Sequence, residues 1–181
     1  MKFAKIAHIE KAVEKNNFRP ALGNVLLDCD EERPQLVATD GHILAVVPVD
    51  ATKEEAGLIS PDVVKEARKA APKKADQAEI TCNGTLSLPD GRVYPRPDME
   101  GLRFPQWRQV LPKATGHTFT IGLNAELLQR LADALGDDVV ALTFSLDAPL
   151  GPVAVTGKAG YGAIMPVRVD NMGIKTTTDE A

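Results

Sequence analysis

Cysteine and histidine are scarce in this 181-residue sequence, which has two cysteines and three histidines. Cys29 and Cys82 lie in separate strand-like stretches without the Cys-X-X-Cys or Cys/His spacing of a zinc site, so we interpret them as core residues of a protein from a reducing compartment. His8, His42 and His117 show no metal-ligand spacing, and no Ser/His/Asp or Cys/His arrangement can be defined. We therefore expect no enzymatic activity, no cofactor and no metal.

Long apolar runs are also absent. No window approaches the roughly 20 apolar residues that a membrane span needs, so we expect a cytoplasmic protein with no membrane partner. No G-X-X-X-X-G-K-[ST] loop is present, and the glycine-rich stretch 157–162 lacks the strand-to-helix context of a phosphate site. The formal net charge of −4 gives no attraction of the whole molecule to nucleic acid, so any DNA contact has to be local.

What the sequence does contain is one order of elements, a strand, a helix and three strands, repeated three times. The first copy is predicted to have its strand at 2–4, its helix up to about residue 16, and strands at 21–29, 35–39 and 43–49. The second has its strand at 58–59, a helix at 61–71 capped by Ser60, and strands at 79–83, 85–88 and 92–94. The third has its strand at 119–123, a helix at 125–135 capped by Asn124, and strands at 139–146, 153–156 and 163–169. We predict an α+β fold of three βαβββ repeats, with helices on one face of antiparallel sheets.

The repeats suggest a division into domains. We assign residues 1–103 to a domain of two repeats and 118–171 to a half-domain that contains the third. The connector, 104–117, is bracketed by prolines and carries the single tryptophan, Trp107, which we interpret as a packing anchor between domains. The polar, threonine-rich tail at 172–181 is predicted to be disordered.

Asp40 and Gly41 separate two alternating apolar runs. Because both residue types tolerate positive φ, this pattern predicts a β-hairpin with a two-residue turn. The turn does not explain the neighbouring Thr39 and His42, which from local sequence alone are ordinary polar residues beside a turn.

Five stretches together resemble the bacterial DNA sliding clamp, the beta subunit of the replicative DNA polymerase. They are RPALGNVLL (19–27), VATDGHILAV (37–46), FPQWRQVLPK (104–113), TIGLNAELLQRLADAL (120–135) and YGAIMPVRV (161–169). The first three resemble the central domain of that family and the connector after it, and the last two resemble the second half of its C-terminal domain. The resemblance implies an abbreviated DNA clamp fold and a processivity factor in DNA replication, which encircles or cradles double-stranded DNA without sequence preference.

The resemblance also implies a hydrophobic pocket for the clamp-binding motifs of polymerases and repair proteins. The implied pocket residues are Thr39, Gly41, His42, Ile43, Leu44, Pro112, Met165, Pro166, Val167 and Arg168. Ile43 departs from the family, where arginine is usual, so we expect a more apolar and differently selective pocket. The alternative is that these segments serve only to pack the fold.

A clamp needs basic side chains on the helices that face DNA. At roughly 100° per residue, the first two predicted helices place basic residues opposite their apolar faces. The predicted DNA contacts are Lys11, Lys15, Lys65, Arg68, Lys69, Lys73 and Lys74. The third helix is predicted to bury Leu127, Leu128, Leu131 and Leu135 and to expose mainly acidic residues, which makes it a poor DNA surface. The alternative is that these charges form only solvated helix faces.

The number of repeats bears on assembly. The family's ring contains twelve βαβββ units, so three units per chain imply four chains, or an arrangement that does not close. The unpaired sheet edges of an odd half-domain favour a homo-oligomer. Two further hypotheses remain: a non-ring interaction module, for which a phage is one source, that binds clamp-client peptides without enclosing DNA, and a structural relic that binds neither.

Overall fold

The computed structural model describes residues 1–16, 19–30, 33–111, 120–145, 147–148 and 150–169. The chain forms two compact units, Met1–Val110 and Leu111–Ala181. The predicted tail at 172–181 and the connector residues 112–117 lie outside the described residues. None of the described helices is long and apolar enough to cross a membrane.

The first unit is built on two antiparallel sheets. The larger sheet has six strands in the order β5-β2-β3-β4-β1-β6. These strands are β1 (Lys2–Ala4), β2 (Val25–Asp28), β3 (Gln35–Thr39), β4 (Leu44–Asp50), β5 (Gly57–Ile59) and β6 (Gln77–Glu79). The smaller sheet comprises β7 (Thr81–Asn83), β8 (Thr85–Ser87) and β9 (Val93–Pro95). The helix α1 (Pro61–Ala70) and the 3₁₀ turns Ile9–Ala12, Lys53–Glu55 and Trp107–Gln109 complete the unit.

The two repeats of this unit share one apolar core. Phe3 and Leu27 of the first repeat and Ile59, Val64 and Leu86 of the second are at most 1% exposed and belong to the same cluster. Helix α1 begins at Pro61, as the sequence predicts, although the Ser60 side chain makes no capping hydrogen bond. The fold is therefore of the α+β class that the repeat pattern predicts.

The first predicted helix is wrong. Among the described residues between β1 and β2, the one helical element is the 3₁₀ turn Ile9–Ala12, and Val13 is already extended. The Glu14 N–H donates to the carbonyl of Leu22 at 2.9 Å, so a tertiary hydrogen bond takes the place of a helical one. Ile6, which has helical spacing from the buried Ile9 and Val13, is 87% exposed.

One predicted strand is also divided. The stretch 79–83 belongs to two sheets, because β6 pairs with β1 while β7 pairs with β8. Ile80, which separates the two strands, is fully buried, and its N–H donates to the carbonyl of Met1. The sequence pattern is continuous here, but the pairing partner changes.

The second unit contains one helix and one sheet within its described residues. Helix α2 (Ala125–Ala134) begins at Ala125 and is capped, as predicted, by Asn124, whose side chain accepts hydrogen bonds from the N–H groups of Glu126 and Leu127. Strands β10 (Ala141–Thr143), β11 (Val153–Gly157) and β12 (Gly160–Ile164) form an antiparallel sheet in that order. The predicted first strand of this repeat contributes one isolated bridge, between Gly122 and Val167.

The buried face of α2 differs from the prediction. Leu135 is 8% exposed and packs with β11 and β12, and Leu128 and Leu131 are partly buried against the same cluster. Leu127, in contrast, is 46% exposed. A single three-stranded sheet covers only part of the leucine stripe.

Candidate peptide and DNA surfaces

The loop between β3 and β4 contains four residues, not the two that Asp-Gly predicts. The last strand pair is Thr39 with Leu44. The Asp40 carboxylate accepts hydrogen bonds from the N–H groups of His42, at 2.8 Å, and Ile43, at 2.9 Å. These bonds close a wider loop, because an aspartate side chain can replace a main-chain acceptor in a turn. They also lower the pKa of Asp40 below its usual value.

Thr39 supports this loop from within. Its hydroxyl donates to the carbonyl of Ile43 at 2.6 Å and accepts from the N–H of Gly41 at 3.0 Å. The side chain is buried, with 8% of the residue exposed. Thr39 therefore fixes the loop and does not present its hydroxyl to solvent.

Arg19 is a supporting residue that the sequence reasoning missed. Its guanidinium donates to the carbonyl of Asp40 at 2.7 Å and forms an ion pair with Glu14 at 3.2 Å. Gly41 has φ +93°, and a Cβ there would lie 2.7 Å from Nη2 of Arg19. Glycine at this position thus allows both the backbone turn and the close approach of the arginine.

The loop presents its remaining side chains outward. His42 is exposed and Ile43 is 54% exposed, while Leu44 is partly buried. The result is an apolar side chain held on a hydrogen-bonded loop.

The other predicted pocket residues belong to the second unit or are not described. Met165 is 61% exposed and Val167 is 36% exposed. Pro166 is partly buried and Arg168 is exposed. The N–H of Val167 donates to the carbonyl of Gly122 at 2.9 Å, which fixes this segment within its unit. Pro112 lies outside the described residues.

A cleft of about 660 Å³ lies elsewhere in the first unit, between β2 and the segment 102–109. Trp107 Nε1 donates to Asp28 Oδ2 at 2.8 Å, and Arg108 Nη1 donates to the same oxygen at 2.7 Å. The Arg108 guanidinium also lies 4.4 Å from the centre of the indole ring. None of the predicted site residues lines this cleft.

These contacts hold Trp107 in the first unit. The indole is 5% exposed and bonded to β2 of its own unit, so the hydrogen bond seen here anchors the segment 102–109 within the first unit. Burial by itself would raise the pKa of Asp28, but hydrogen bonds from Arg108, the Asp30 backbone and Trp107 hold it below the usual value. The carboxylate is therefore ionised at neutral pH.

The predicted DNA-contact residues differ in their exposure and in whether they pair with carboxylates. Lys11 and Lys15 are exposed, but the helix that was to align them is absent. On α1, Lys65 is exposed, and Lys73 and Lys74 are exposed just after the helix. Within the described part of the chain, Lys65, Lys73 and Lys74 form no ion pair.

Two other predicted contacts on α1 are paired with carboxylates. Arg68 is 13% exposed, its guanidinium is bonded to Glu10, and Nη1 donates to His8 Nε2 at 3.1 Å. Lys69 pairs with Glu66 at 2.8 Å but keeps 60% of its side chain exposed. Hydrogen bonds from Lys69 and Arg92 lower the pKa of Glu66 to about 2, so this carboxylate offsets part of the local positive charge.

Comparison with known proteins gives a match at the level of structure. No family model matches the chain, and no curated protein matches it. The DNA polymerase sliding clamp of Bacillus subtilis superposes with a TM-score of 0.64 at 17% identity, over 93% of this chain and 49% of that chain. The clamp of Pseudomonas aeruginosa gives 0.67 at 17% identity, over 92% and 50%.

A third structure carries a ligand. The sliding clamp of Bartonella birtlesii bound to griselimycin gives a TM-score of 0.57 at 18% identity, over 93% of this chain and 66% of that chain. The present chain spans about half the length of the first two clamps. At these identities, the matches show that it has the sliding-clamp fold.

Proposed function

We propose that this protein is a sliding-clamp-like processivity factor, which associates with duplex DNA without sequence preference and tethers partner proteins by their peptide motifs. The observation that carries the proposal is the match to sliding clamps over more than nine-tenths of the chain. Such a protein acts by holding other proteins near DNA, needs no chemistry of its own, and would work in the cytoplasm beside the chromosome.

The DNA part of the proposal rests on the exposed lysines of α1 and the residues after it. Lys65 and Lys69 are one turn apart and lie away from the buried face formed by Val63 and Val64. Lys73 and Lys74 continue the basic stretch beyond the helix. Since the net charge is −4, binding to phosphate has to depend on such a local cluster.

Replacing Lys65, Lys73 and Lys74 together with alanine is expected to weaken DNA binding about tenfold to a hundredfold at low salt. Each phosphate contact contributes about 0.9 to the slope of log K against log salt concentration, so the slope should fall by up to about 3. Fluorescence anisotropy with a labelled duplex over a salt series measures both quantities.

The matched control removes three exposed positive charges elsewhere, at Lys53, Arg103 and Lys158. We expect this variant to keep most of the affinity and the slope. An equal loss in both triple variants would contradict the assigned surface. Absence of DNA binding by the unaltered chain would remove the DNA part of the proposal and leave the interaction module.

The peptide part rests on the β3–β4 loop, which holds Ile43 outward on a scaffold of side-chain hydrogen bonds. The clamps of Bartonella birtlesii and Pseudomonas aeruginosa were crystallised bound to griselimycin, so this ligand is a suitable probe. We further propose that Met165 and Val167 contribute to peptide binding from the second unit.

Replacing Ile43 with aspartate is expected to lower the affinity for griselimycin and for clamp-binding-motif peptides at least about tenfold, which corresponds to about 1.4 kcal/mol. The reason is that a charged side chain disfavours contact with an apolar ligand. Isothermal titration calorimetry measures the change. Val93→Asp, which alters a 61% exposed valine of β9, should bind as the unaltered protein does. Unchanged affinity after Ile43→Asp would exclude the loop from the binding surface.

The alternative function, a module that binds client peptides without enclosing DNA, is favoured by one observation. The exposed surface of α2 carries Glu126 and Asp133 beside Arg130 and so offers little attraction to phosphate. Peptide binding without salt-dependent DNA binding would select this alternative.

A further inference from the structure

The two repeats of the first unit exchange strands reciprocally. Strand β5, which begins the second repeat, pairs with β2 of the first repeat through Val25 with Ile59 and Leu26 with Leu58. Strand β1, which begins the first repeat, pairs with β6 of the second repeat through Phe3 with Ala78. Each repeat therefore covers a sheet edge of the other.

The second unit contains the same parts only once. Its three strands, β10-β11-β12, occur in the same order as β2-β3-β4. The bridge from Gly122 to Val167 corresponds to the pairing of β1 with β4. By this correspondence, the outer edge of β10 matches the edge of β2 that β5 covers, and the segment 120–123 matches β1. Among the described residues, β10 pairs only with β11.

A comparison of burial at equivalent positions of the first and third repeats shows which part of the third repeat is left uncovered. Val25 and Leu27 of β2 face the core and are fully buried, whereas Leu142, the core-facing residue of β10, is only partly buried against its cluster. The same holds for the helices, because the third residue of α1, Val63, is 2% exposed and the third residue of α2, Leu127, is 46% exposed. A sheet edge that has no strand partner among the described residues, beside an exposed apolar helix position, is a surface that favours association.

We propose that a second copy of this chain covers this surface, with the two second units forming a two-fold dimer. The segment 120–123 of each protomer pairs with β10 of the other protomer. The two α2 helices cover each other's Leu127. The first unit supports a second copy as the partner. In that unit, each repeat provides an edge strand for the other repeat and a sheet edge with which the other's strand pairs. A reciprocal exchange is self-complementary, so it closes at two copies and does not extend into a fibre.

The inference does not depend on the proposed DNA or peptide binding, because it concerns only how the third repeat is completed. It does constrain any arrangement around DNA, since assembly would start from a dimer. A failure of the dimer test would leave the DNA and peptide measurements unaffected.

Light scattering on the full chain over a wide range of concentrations is the first test. We expect a dimer for the unaltered protein and a monomer for Leu127→Glu. The control is Val93→Glu, which makes the same kind of change at an exposed apolar residue of an edge strand in the first unit and should remain dimeric. A monomer at every concentration would overturn the proposal.

A cross-linking test uses nearly native chains, in case Leu127→Glu fails to fold. One sample carries Thr120→Cys and another carries Ala141→Cys, both at exposed positions, while the native Cys29 and Cys82 are buried. A short bismaleimide, which tolerates a small shift in strand register, should join the two chains when they are mixed. A dimer in which the mixed chains do not join would show a different interface and would also overturn the proposal.

Discussion

Replacing Asp28 with alanine is expected to lower the free energy of unfolding by about 3 kcal/mol. The change leaves the indole N–H of Trp107 and the guanidinium of Arg108 without the oxygen to which both donate. A buried donor that loses its partner costs about 1 to 3 kcal/mol, and more when it is charged. Because Trp107 is the only tryptophan and lies in this cluster, its fluorescence in a urea titration reports the loss directly.

The control for this prediction is Asp30→Ala. Asp30 is exposed and follows the same strand, and its contact with Asp28 is made by its backbone N–H, which alanine retains. We expect a change below about 0.5 kcal/mol for this surface substitution. If Asp28→Ala changes stability no more than the control does, the cluster does not anchor the segment 102–109.

The same cluster predicts a pH dependence. The folded-state pKa of Asp28 lies below its usual value of 3.8, so its carboxylate stabilises the fold fully above the unfolded pKa. This contribution is lost as the pH falls through the folded value. The difference in stability between the unaltered protein and Asp28→Asn should therefore be constant near neutral pH and shrink in acid. A difference that grows in acid would contradict this assignment.

Much of the fold could be predicted from short-range signals. Proline at the start of α1, the Asn124 cap of α2 and the alternation in β3 and β4 each act within a few residues, and the structure contains these elements. The prediction of a first helix was wrong because apolar spacing alone does not determine whether a helix forms. The hydrogen bond from the Glu14 N–H to the Leu22 carbonyl depends on tertiary packing. Local periodicity contains no information about such a bond.

The candidate site was less predictable than the fold. The resemblance located the β3–β4 loop, but only the structure shows that Thr39 is buried and that Arg19 supports Gly41. For the basic residues, sequence spacing separates charged from apolar faces but does not show which cations already have partners. Arg68 illustrates this limit, since the residue that neutralises it, Glu10, lies 58 positions away in the sequence.

Arg68 is accordingly expected to affect stability more than DNA binding. Its side chain is 13% exposed and that of Glu10 is 10% exposed, and the pair joins α1 of the second repeat to the 3₁₀ turn of the first. Removing one member of a buried ion pair leaves the other charge uncompensated and costs about 3 to 5 kcal/mol. Arg68→Ala and Glu10→Ala should each lower the free energy of unfolding by an amount near the lower end of this range.

A double variant separates pairing from packing. Glu10→Leu combined with Arg68→Met removes both charges and keeps apolar volume, so it should lose less stability than either alanine variant, because an apolar replacement of a buried pair is often near neutral. Lys69→Ala breaks the exposed pair with Glu66 and should change stability by less than about 1 kcal/mol.

The salt dependence of DNA binding is the measurement that decides whether Arg68 contacts DNA. Arg68→Met should leave the slope unchanged, whereas a slope lower by about 1 with unchanged stability would return Arg68 to the DNA surface.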